Sequence, residues 1–269
     1  MGKHYVPQLL LRGFTHNGKL DVYDKVRALW FSSQPKSVAN EGDLWPDEVE
    51  TFITETVEEP ARNVIERLRQ KLQLTEQERL ALARYIAFLW KRVPAARERF
   101  LNHTPGVAEE LRHKLNLELT SEEQRREANI YIDEIIADPP AILWHTSMAT
   151  EFKLDVVGAI ANMHWTVLHT NEPSYLASDN PVFFFGVDGL GRPNSELTIP
   201  FSSRAVLVGR NIADNMPLHL NARPYQIREI NRRTAFNASR FIFTETTLPW
   251  MTHFVTKTHV PTRGSLFPK

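Results

Sequence analysis

The chain of 269 residues contains no cysteine, and this absence removes several classes of chemistry at once. Disulfides, thiolate nucleophiles, cysteine-ligated zinc and iron–sulfur clusters all need that residue. A bound metal would therefore depend on His, Asp or Glu. The sequence also lacks a run of about 18 apolar residues, and its first residues lead into no signal-peptide core. We expect neither a membrane span nor secretion, no membrane partner, and a cytoplasmic location.

A net charge is missing as well. Lys plus Arg total 32 and Asp plus Glu total 32, so no overall field draws the protein to nucleic acid or to an anionic membrane. Any contact with an anionic partner must be local. The length allows one large domain or two small ones, and it is sufficient for a sizeable hydrophobic core.

Helical patterns occupy the middle of the chain, over about residues 49–152. Thr75–Glu78 fits a capping box, which predicts a helix that begins there. This helix should end near Arg92, because the proline two residues later disfavours the helical conformation in the residue before it. A further helix follows that proline, and Thr120–Glu123 is a second capping box that predicts another.

Short apolar runs separated by turn residues follow, over about residues 156–245, and they indicate strands. A turn pair at Asn17–Gly18 predicts an early hairpin as well. Because this hairpin and the late strands lie on either side of the helical block, one sheet can collect both ends of the chain. We predict an α+β fold, as a single domain over residues 1–269, with a mixed or antiparallel sheet.

Two glycine-containing segments have misleading spacing. Gly13–Lys19 has the spacing of a phosphate-binding P-loop, but Leu20 follows where that motif needs Ser or Thr, and a strand follows where it needs a helix. We interpret it as an ordinary hairpin turn. Gly186–Arg192 is also glycine-rich, but it lies between two predicted strands, and a hairpin loop is favoured there too.

The opening segment, residues 4–14, combines polar groups with apolar and aromatic residues within a short distance of the N-terminus. Its apolar residues favour a position inside the fold. His4 can act as a base, an acid or a metal ligand, and Arg12 can bind an anion through two hydrogen bonds. The alternative is structural: His4 belongs to a buried polar network and Arg12 pairs with an internal carboxylate.

A second candidate is the run Ser178-Asp179-Asn180-Pro181, which follows an apolar strand. Active-site carboxylates are often presented from the end of a strand, and Asp179 occupies such a position. The alternative is an Asx-turn, in which Asp179 or Asn180 accepts hydrogen bonds from nearby backbone amides. The residue types alone leave both interpretations open.

These two segments resemble an uncharacterised family, domain of unknown function 4238, whose members begin with His-Tyr-Val-Pro-Gln followed by Leu-Arg and Phe, and later show Ser-Asp-Asn-Pro. The resemblance brings no established activity. It implies that Glu59 matches a family glutamate and faces inward, although most carboxylates on helices are solvated. It also implies that Arg92 matches the family's Arg-x-Pro and enters the site, although a cation in the last turn of a helix also complements the helix dipole.

The candidate site therefore consists of His4, Arg12, Glu59, Arg92, Asp179 and Asn180. Glu59 and Asp179 could hold Mg²⁺ or Mn²⁺, His4 could activate water, and the arginines could neutralise phosphate. We hypothesise a hydrolase, such as a metal-dependent phosphodiesterase or nuclease, that acts on an anionic substrate.

Two alternatives stay open. In the first, the protein is a non-catalytic binding or interaction protein whose polar cluster is structural and whose ligand is an anionic small molecule. In the second, it is a nucleic-acid-binding module that uses arginines in residues 223–233. The substrate, the presence of a metal and the oligomeric state do not follow from the sequence.

Overall fold

The computed structural model describes residues 2–42, 44–138, 141–149, 154–185, 190, 192–193, 195–212, 216–257, 261 and 266–267. Backbone contacts group the chain into two units, Met1–Val93 with Phe152–Lys269, and Pro94–Glu151. Helices of the predicted helical block therefore belong to both units. Contacts alone do not say whether the two units unfold together, so the single domain stays a prediction.

Strands are numbered in chain order. They are β1 Lys3–His4, β2 Leu20–Asp24, β3 Leu29–Ser33, β4 Asn40–Glu41, β5 His164–His169, β6 Ala177–Ser178, β7 Phe183–Phe185, β8 Glu196–Ser202, β9 Ala205–Arg210, β10 His219–Asn221 and β11 Phe241–Thr244.

Helices are numbered in the same way. They are α1 Gln8–Leu11, α2 Asp47–Ile53, α3 Glu59–Arg69, α4 Glu76–Lys91, α5 Pro94–Glu118, α6 Glu122–Ala137, α7 Ala141–Ala149, α8 Leu154–Asn162, α9 Pro224–Asn237 and α10 Pro249–Val255. Short 3₁₀ turns lie at Arg12–Phe14 and Pro35–Ser37, and a π-helical segment, Thr54–Glu58, joins α2 to α3.

Two larger sheets define an α+β fold, as predicted. The first has four antiparallel strands in the order β3-β2-β11-β6, so the early hairpin does pair with strands from the end of the chain. The second has five strands in the order β10-β5-β9-β8-β7, and it is mixed because β10 runs parallel to β5. A small pair, β1 with β4, ties down the N-terminus.

The early turn is a hairpin and not a P-loop. Asn17 and Gly18 both have positive φ, at 50° and 75°, and His16 pairs with Lys19 across the turn. This geometry matches the right-handed twist of the flanking strands, and it explains why Asn and Gly stand there. Strand β2 follows the turn directly. Most of Gly186–Arg192 lies outside the described residues.

The helix boundaries follow the capping signals in the sequence. Thr75 and Glu78 form the reciprocal capping box at the start of α4, and Arg92 is the C-cap residue just before Pro94 opens α5. Helix α6 is also present, although no side-chain hydrogen bond caps it. One boundary was wrong: the chain from 156 was expected to be strand, but α8 continues to Asn162, because it packs against α4 and buries Ile160.

A search of the described residues finds no helix that is long and apolar enough to cross a membrane.

Candidate functional site

The opening segment lies inside the fold, as its composition indicated. Strand β1 pairs with β4, and the Tyr5 amide donates to the Ala39 carbonyl at 3.0 Å. Tyr5 and Val6 are buried, and so are the leucines of α1. The segment is therefore placed to present His4 and Tyr5 to residues from distant parts of the chain.

Arg92 links this segment to the helices. Its Nη1 lies 2.5 Å from Glu58 Oε1, and its Nη2 donates to the His4 carbonyl. The guanidinium also lies over the ring of Trp45, 5.4 Å from the centroid. The side chain is only 2% exposed, so this cation depends on Glu58 for charge compensation. Arg92 thus lies in a buried polar cluster with Glu58 and the His4 backbone, and its entry into a functional site stays a prediction.

The His4 imidazole lies near Arg92 and Glu50. Burial lowers its pKa and Arg92 lowers it further, while the Lys36 backbone and Glu50 act in the opposite direction. Glu50 accepts a hydrogen bond from Trp45 Nε1 at 2.7 Å. The imidazole is therefore neutral at pH 7, and its Nε2 is buried and forms no hydrogen bond with the described residues.

Glu59 does not face inward, which corrects the sequence-based expectation. It is exposed and forms a surface ion pair with Arg62, with 2.6 Å between Arg62 Nη2 and Glu59 Oε1. The inward position belongs to Glu58. The period of α3 supplies the physical reason, because Glu58 lies three residues before the buried Ala61 and Glu59 only two. The chain before Pro60 adopts the wider π form, in which the Glu59 amide donates to the Thr54 carbonyl.

Asp179 is buried and serves as an acceptor for backbone amides. Its two carboxylate oxygens accept hydrogen bonds from the amides of Ser239, Arg240 and Phe241 at 2.8, 2.6 and 3.0 Å. Burial raises the pKa of Asp179, and these three amides oppose the rise. The carboxylate therefore holds the chain in place as it enters β11. These amides lie about 60 residues away along the chain, so the hydrogen bonds are not those of the local Asx-turn considered from the sequence.

In the opening segment, the charge of Asp179 acts on Tyr5. Burial raises the pKa of the Tyr5 phenol first, and the Asp179 charge raises it further. His4 instead lies beside Arg92 and Glu50. Of the two acids predicted to lie beside His4, Asp179 acts on Tyr5 instead and Glu59 lies at the surface.

Asn180 and Arg12 do not join a common site. The Asn180 backbone carbonyl accepts from Ser178 Oγ and from Asn237 Nδ2, at 2.9 and 2.7 Å. The Arg12 side chain is exposed, and it forms no hydrogen bond or ion pair with the part of the chain that the structure describes. Among the six predicted residues, the hydrogen bond that the structure shows between distant segments joins Arg92 to the His4 carbonyl.

The two proposed metal ligands have other partners. Glu59 forms an ion pair with Arg62 at the surface, and the Asp179 carboxylate accepts hydrogen bonds from backbone amides. Among the described residues, no group of three His, Asp or Glu side chains is arranged to hold a metal ion. A site for Mg²⁺ or Mn²⁺ stays a prediction.

The arginines of α9 do not form a basic face. Arg233 is fully buried and lies 2.5 Å from Glu196, while Arg232 pairs with Glu229 at 2.8 Å. Arg223 and Arg228 are exposed. Two of the four cations are thus compensated by acids, which weakens the case for a nucleic-acid surface here.

A cavity of about 650 Å³ opens elsewhere, beside the start of α4 and the end of α8. Sequence reasoning missed it, because its lining comes from four separated segments. The lining residues are Gln73, Leu74, Arg79, Asn162, Met163, His164, Trp165, Pro193, Arg210, Asn211, Ile212, Met216 and Leu218.

Arg79 is the central cation of this cavity. Its Nε donates to the Ala161 carbonyl at 2.5 Å and its Nη2 donates to the Met163 carbonyl, while its guanidinium lies 4.0 Å from the centroid of Trp165. Burial lowers the pKa of Arg79. No carboxylate of the described residues pairs with it, so its charge is compensated only by carbonyl dipoles.

Three further polar residues border the cavity. Arg210 is 3% exposed and lies 4.0 Å from the centroid of Phe267. Asn211 Nδ2 donates to Ser195 Oγ at 2.7 Å, which holds its amide in place. His164 Nε2 lies 2.9 Å from the Met216 carbonyl, and since a carbonyl only accepts, this nitrogen carries the proton.

Fold and geometry together define the class: an α+β protein with a buried N-terminal polar network and a separate cationic cavity. The family model described as "Protein of unknown function (DUF4238)" matches residues 3–247, and the chain belongs to that family. Neither the curated proteins nor the solved structures contain a significant match to the chain.

Proposed function

We propose that the protein binds a small phosphorylated molecule in the cavity around Arg79, and that the network at the N-terminus is structural. The observation that carries this proposal is the half-buried Arg79 guanidinium, which lines a cavity of about 650 Å³ without a carboxylate partner in the described part of the chain. This volume lies in the usual range for ligand pockets, about 300–1,000 Å³.

The electrostatic argument rests on the composition of the lining. Arg79 borders the cavity, and the lining residues that the structure describes include neither Asp nor Glu. Partial burial costs the Arg79 guanidinium solvation and lowers its pKa. A phosphate group bound beside it would offset this cost. A guanidinium is planar and matches phosphate oxygens with two parallel hydrogen bonds.

The simplest alternative is that Arg79 is only a helix cap. Its two carbonyl acceptors, Ala161 and Met163, lie at the C-terminal end of α8, where a cation complements the helix dipole. These bonds also hold the guanidinium in one orientation, as a binding site requires. The two roles differ in one respect: a cap alone gives the protein no affinity for phosphate compounds.

Calorimetric titration with inorganic pyrophosphate at low salt tests the proposal. We expect one site per chain, and about tenfold weaker binding in Gln73→Glu, because an added carboxylate at the cavity costs about 1.4 kcal/mol. The Gln73 side chain is exposed, so this variant should keep its fold even if Arg79→Gln does not. Arg27→Gln, an exposed arginine outside the cavity, is the charge-matched control.

Absence of binding at millimolar pyrophosphate would contradict the proposal, and so would equal affinities for Gln73→Glu and Arg27→Gln. The same titration addresses the hydrolase hypothesis, which stays a prediction. Release of phosphate from pyrophosphate on addition of Mn²⁺ would support a hydrolase, whereas binding without turnover supports a binding protein. Nucleic-acid binding and a cytoplasmic location stay predictions as well.

A further inference from the structure

A second pocket, of about 430 Å³, lies between the N-terminal half of α9, the start of α10 and the loop before β6. None of its residues belongs to the cavity around Arg79. It is lined by Pro173, Ser174, Pro224, Ile227, Arg228, Asn231, Leu248, Trp250 and Phe254.

The wall formed by α10 is unusually apolar for a surface. All six tryptophans lie in the described part of the chain, and Trp250 alone is exposed, at 42%. It meets Phe254 edge to face, with 5.5 Å between the ring centroids, and Leu248 beside it is 36% exposed. Aromatic surface of this kind gains free energy when a ligand covers it.

The opposite wall is held rigidly. Asn231 is 2% exposed, its Oδ1 accepts the Leu176 amide at 3.0 Å, and its Nδ2 donates to the Ser174 carbonyl at 2.8 Å. Pro173 and Pro224 have fixed φ angles. The pocket is therefore formed in advance of binding, which reduces the entropy that a ligand must overcome.

The pocket carries a single charge. Arg228 is the one ionised side chain among its described lining residues, and it forms no hydrogen bond or ion pair with other residues that the structure describes. Two neighbouring arginines on α9 differ in this respect, because Arg232 and Arg233 are paired with Glu229 and Glu196. Arg228 is thus available to a ligand that bears one negative charge.

We infer that this pocket binds a small molecule with one aromatic or branched apolar group and one carboxylate. The apolar group lies against Trp250, Ile227 and the two prolines, and the carboxylate pairs with Arg228. A free small molecule fits better than a protein surface, because the volume of about 430 Å³ suits a single ligand. The inference does not depend on the cavity around Arg79.

The test uses 3-phenylpropanoate and its uncharged analogue 3-phenylpropanamide, followed by tryptophan fluorescence and calorimetry on the full chain. We expect a blue shift on binding of the acid, since Trp250 is the exposed tryptophan, and we expect Trp250→Phe to abolish the shift while it keeps binding. The acid should bind about tenfold more tightly than the amide, as expected for one charge-assisted pair.

Arg228→Gln should remove this preference, so that acid and amide bind alike, whereas the charge-matched control Arg27→Gln should retain it. Pyrophosphate should not compete with the acid, which separates this site from the proposed phosphate site. The inference fails if the wild-type protein binds acid and amide equally or binds neither at millimolar concentration. It also fails if only a peptide ending in phenylalanine binds, because the ligand is then a protein segment.

Discussion

His169 shows how a single buried residue can make stability depend on pH. It is 5% exposed, and its Nε2 lies 3.0 Å from His219 Nδ1. His219 Nε2 faces the Leu72 carbonyl at 2.9 Å and must donate, so His219 Nδ1 accepts and His169 Nε2 carries a proton. Burial lowers the pKa of His169 to about 4, with further contributions from His219 and Lys71.

We predict that the free energy of unfolding falls as the pH falls from 6.5 towards 4. In this window the unfolded chain binds a proton at His169 that the folded chain excludes, because the folded pKa lies below the ordinary value of 6.5. The loss should be on the order of 2 kcal/mol, since each pKa unit corresponds to about 1.4 kcal/mol. Urea denaturation at several pH values measures it.

His169→Gln keeps a donor for His219 but does not titrate, so its stability should change less across the same window. The control is His253→Gln, which replaces an exposed histidine and should follow the wild-type profile. Parallel profiles for all three proteins would show that His169 does not carry the pH dependence.

At the scale of elements, local signals in the sequence predicted most helices and strands. The capping box at Thr75, the proline at position 94 and the Asn17–Gly18 turn each act over a few residues, and the structure confirms all three boundaries. The parallel pairing of β10 with β5 was not predicted, because it joins segments about 50 residues apart. Non-local pairing depends on packing that no local pattern encodes.

The inward position of Glu59 was expected from the family resemblance, and the periodicity of α3 explains why it is wrong. Glu58 lies three residues before the buried Ala61 and shares its face, whereas Glu59 lies two residues before Ala61 and points away from it. A proline inside a helical pattern signals a distortion, yet it does not say whether a kink, a break or a π turn results. The family motif thus pointed to Glu59, whereas the neighbouring Glu58 is the residue that pairs with Arg92.

We predict opposite outcomes for the two neighbouring glutamates. Glu58→Gln leaves the nearly buried Arg92 without an opposing charge, and it should lower the free energy of unfolding by about 2 kcal/mol. Glu59→Gln is the matched control, and it should have little effect because its ion pair with Arg62 is exposed. Denaturation at pH 7 distinguishes them, and equal losses would contradict the assignment of Glu58.

At the scale of the whole molecule, the sequence could not show which cavity would form. The residues around Arg79 come from the start of α4, the end of α8 with β5, Pro193 before β8, and the end of β9 with the residues after it. They meet only when the sheet and the helices pack. Motif reasoning selected distinctive residues instead, and several of those, Arg92 and Asp179 among them, hold the fold together. In Arg92 and Asp179, the sequence motifs therefore identified residues with buried structural contacts.

The two units should also differ in local stability. In unit Pro94–Glu151 one described hydrophobic cluster contains the buried residues Ala108, Ile132 and Ile135, and Trp144 and Met148 are buried as well. Helix α5 contains an internal proline, Pro105, and exposes Val107, Leu111 and Leu117. In the other unit, strands β8 and β9 are buried along almost their whole length.

We predict that amides of α5 and α6 exchange with deuterium through local openings of lower free energy than those of β8 and β9. A small core gives little apolar burial to oppose chain entropy, and the proline removes one helical hydrogen bond, so this unit can open while the sheet stays folded. Hydrogen exchange followed by mass spectrometry under native conditions measures both. Equal protection of the two units would show instead that the chain opens only as a whole, as the single-domain prediction requires.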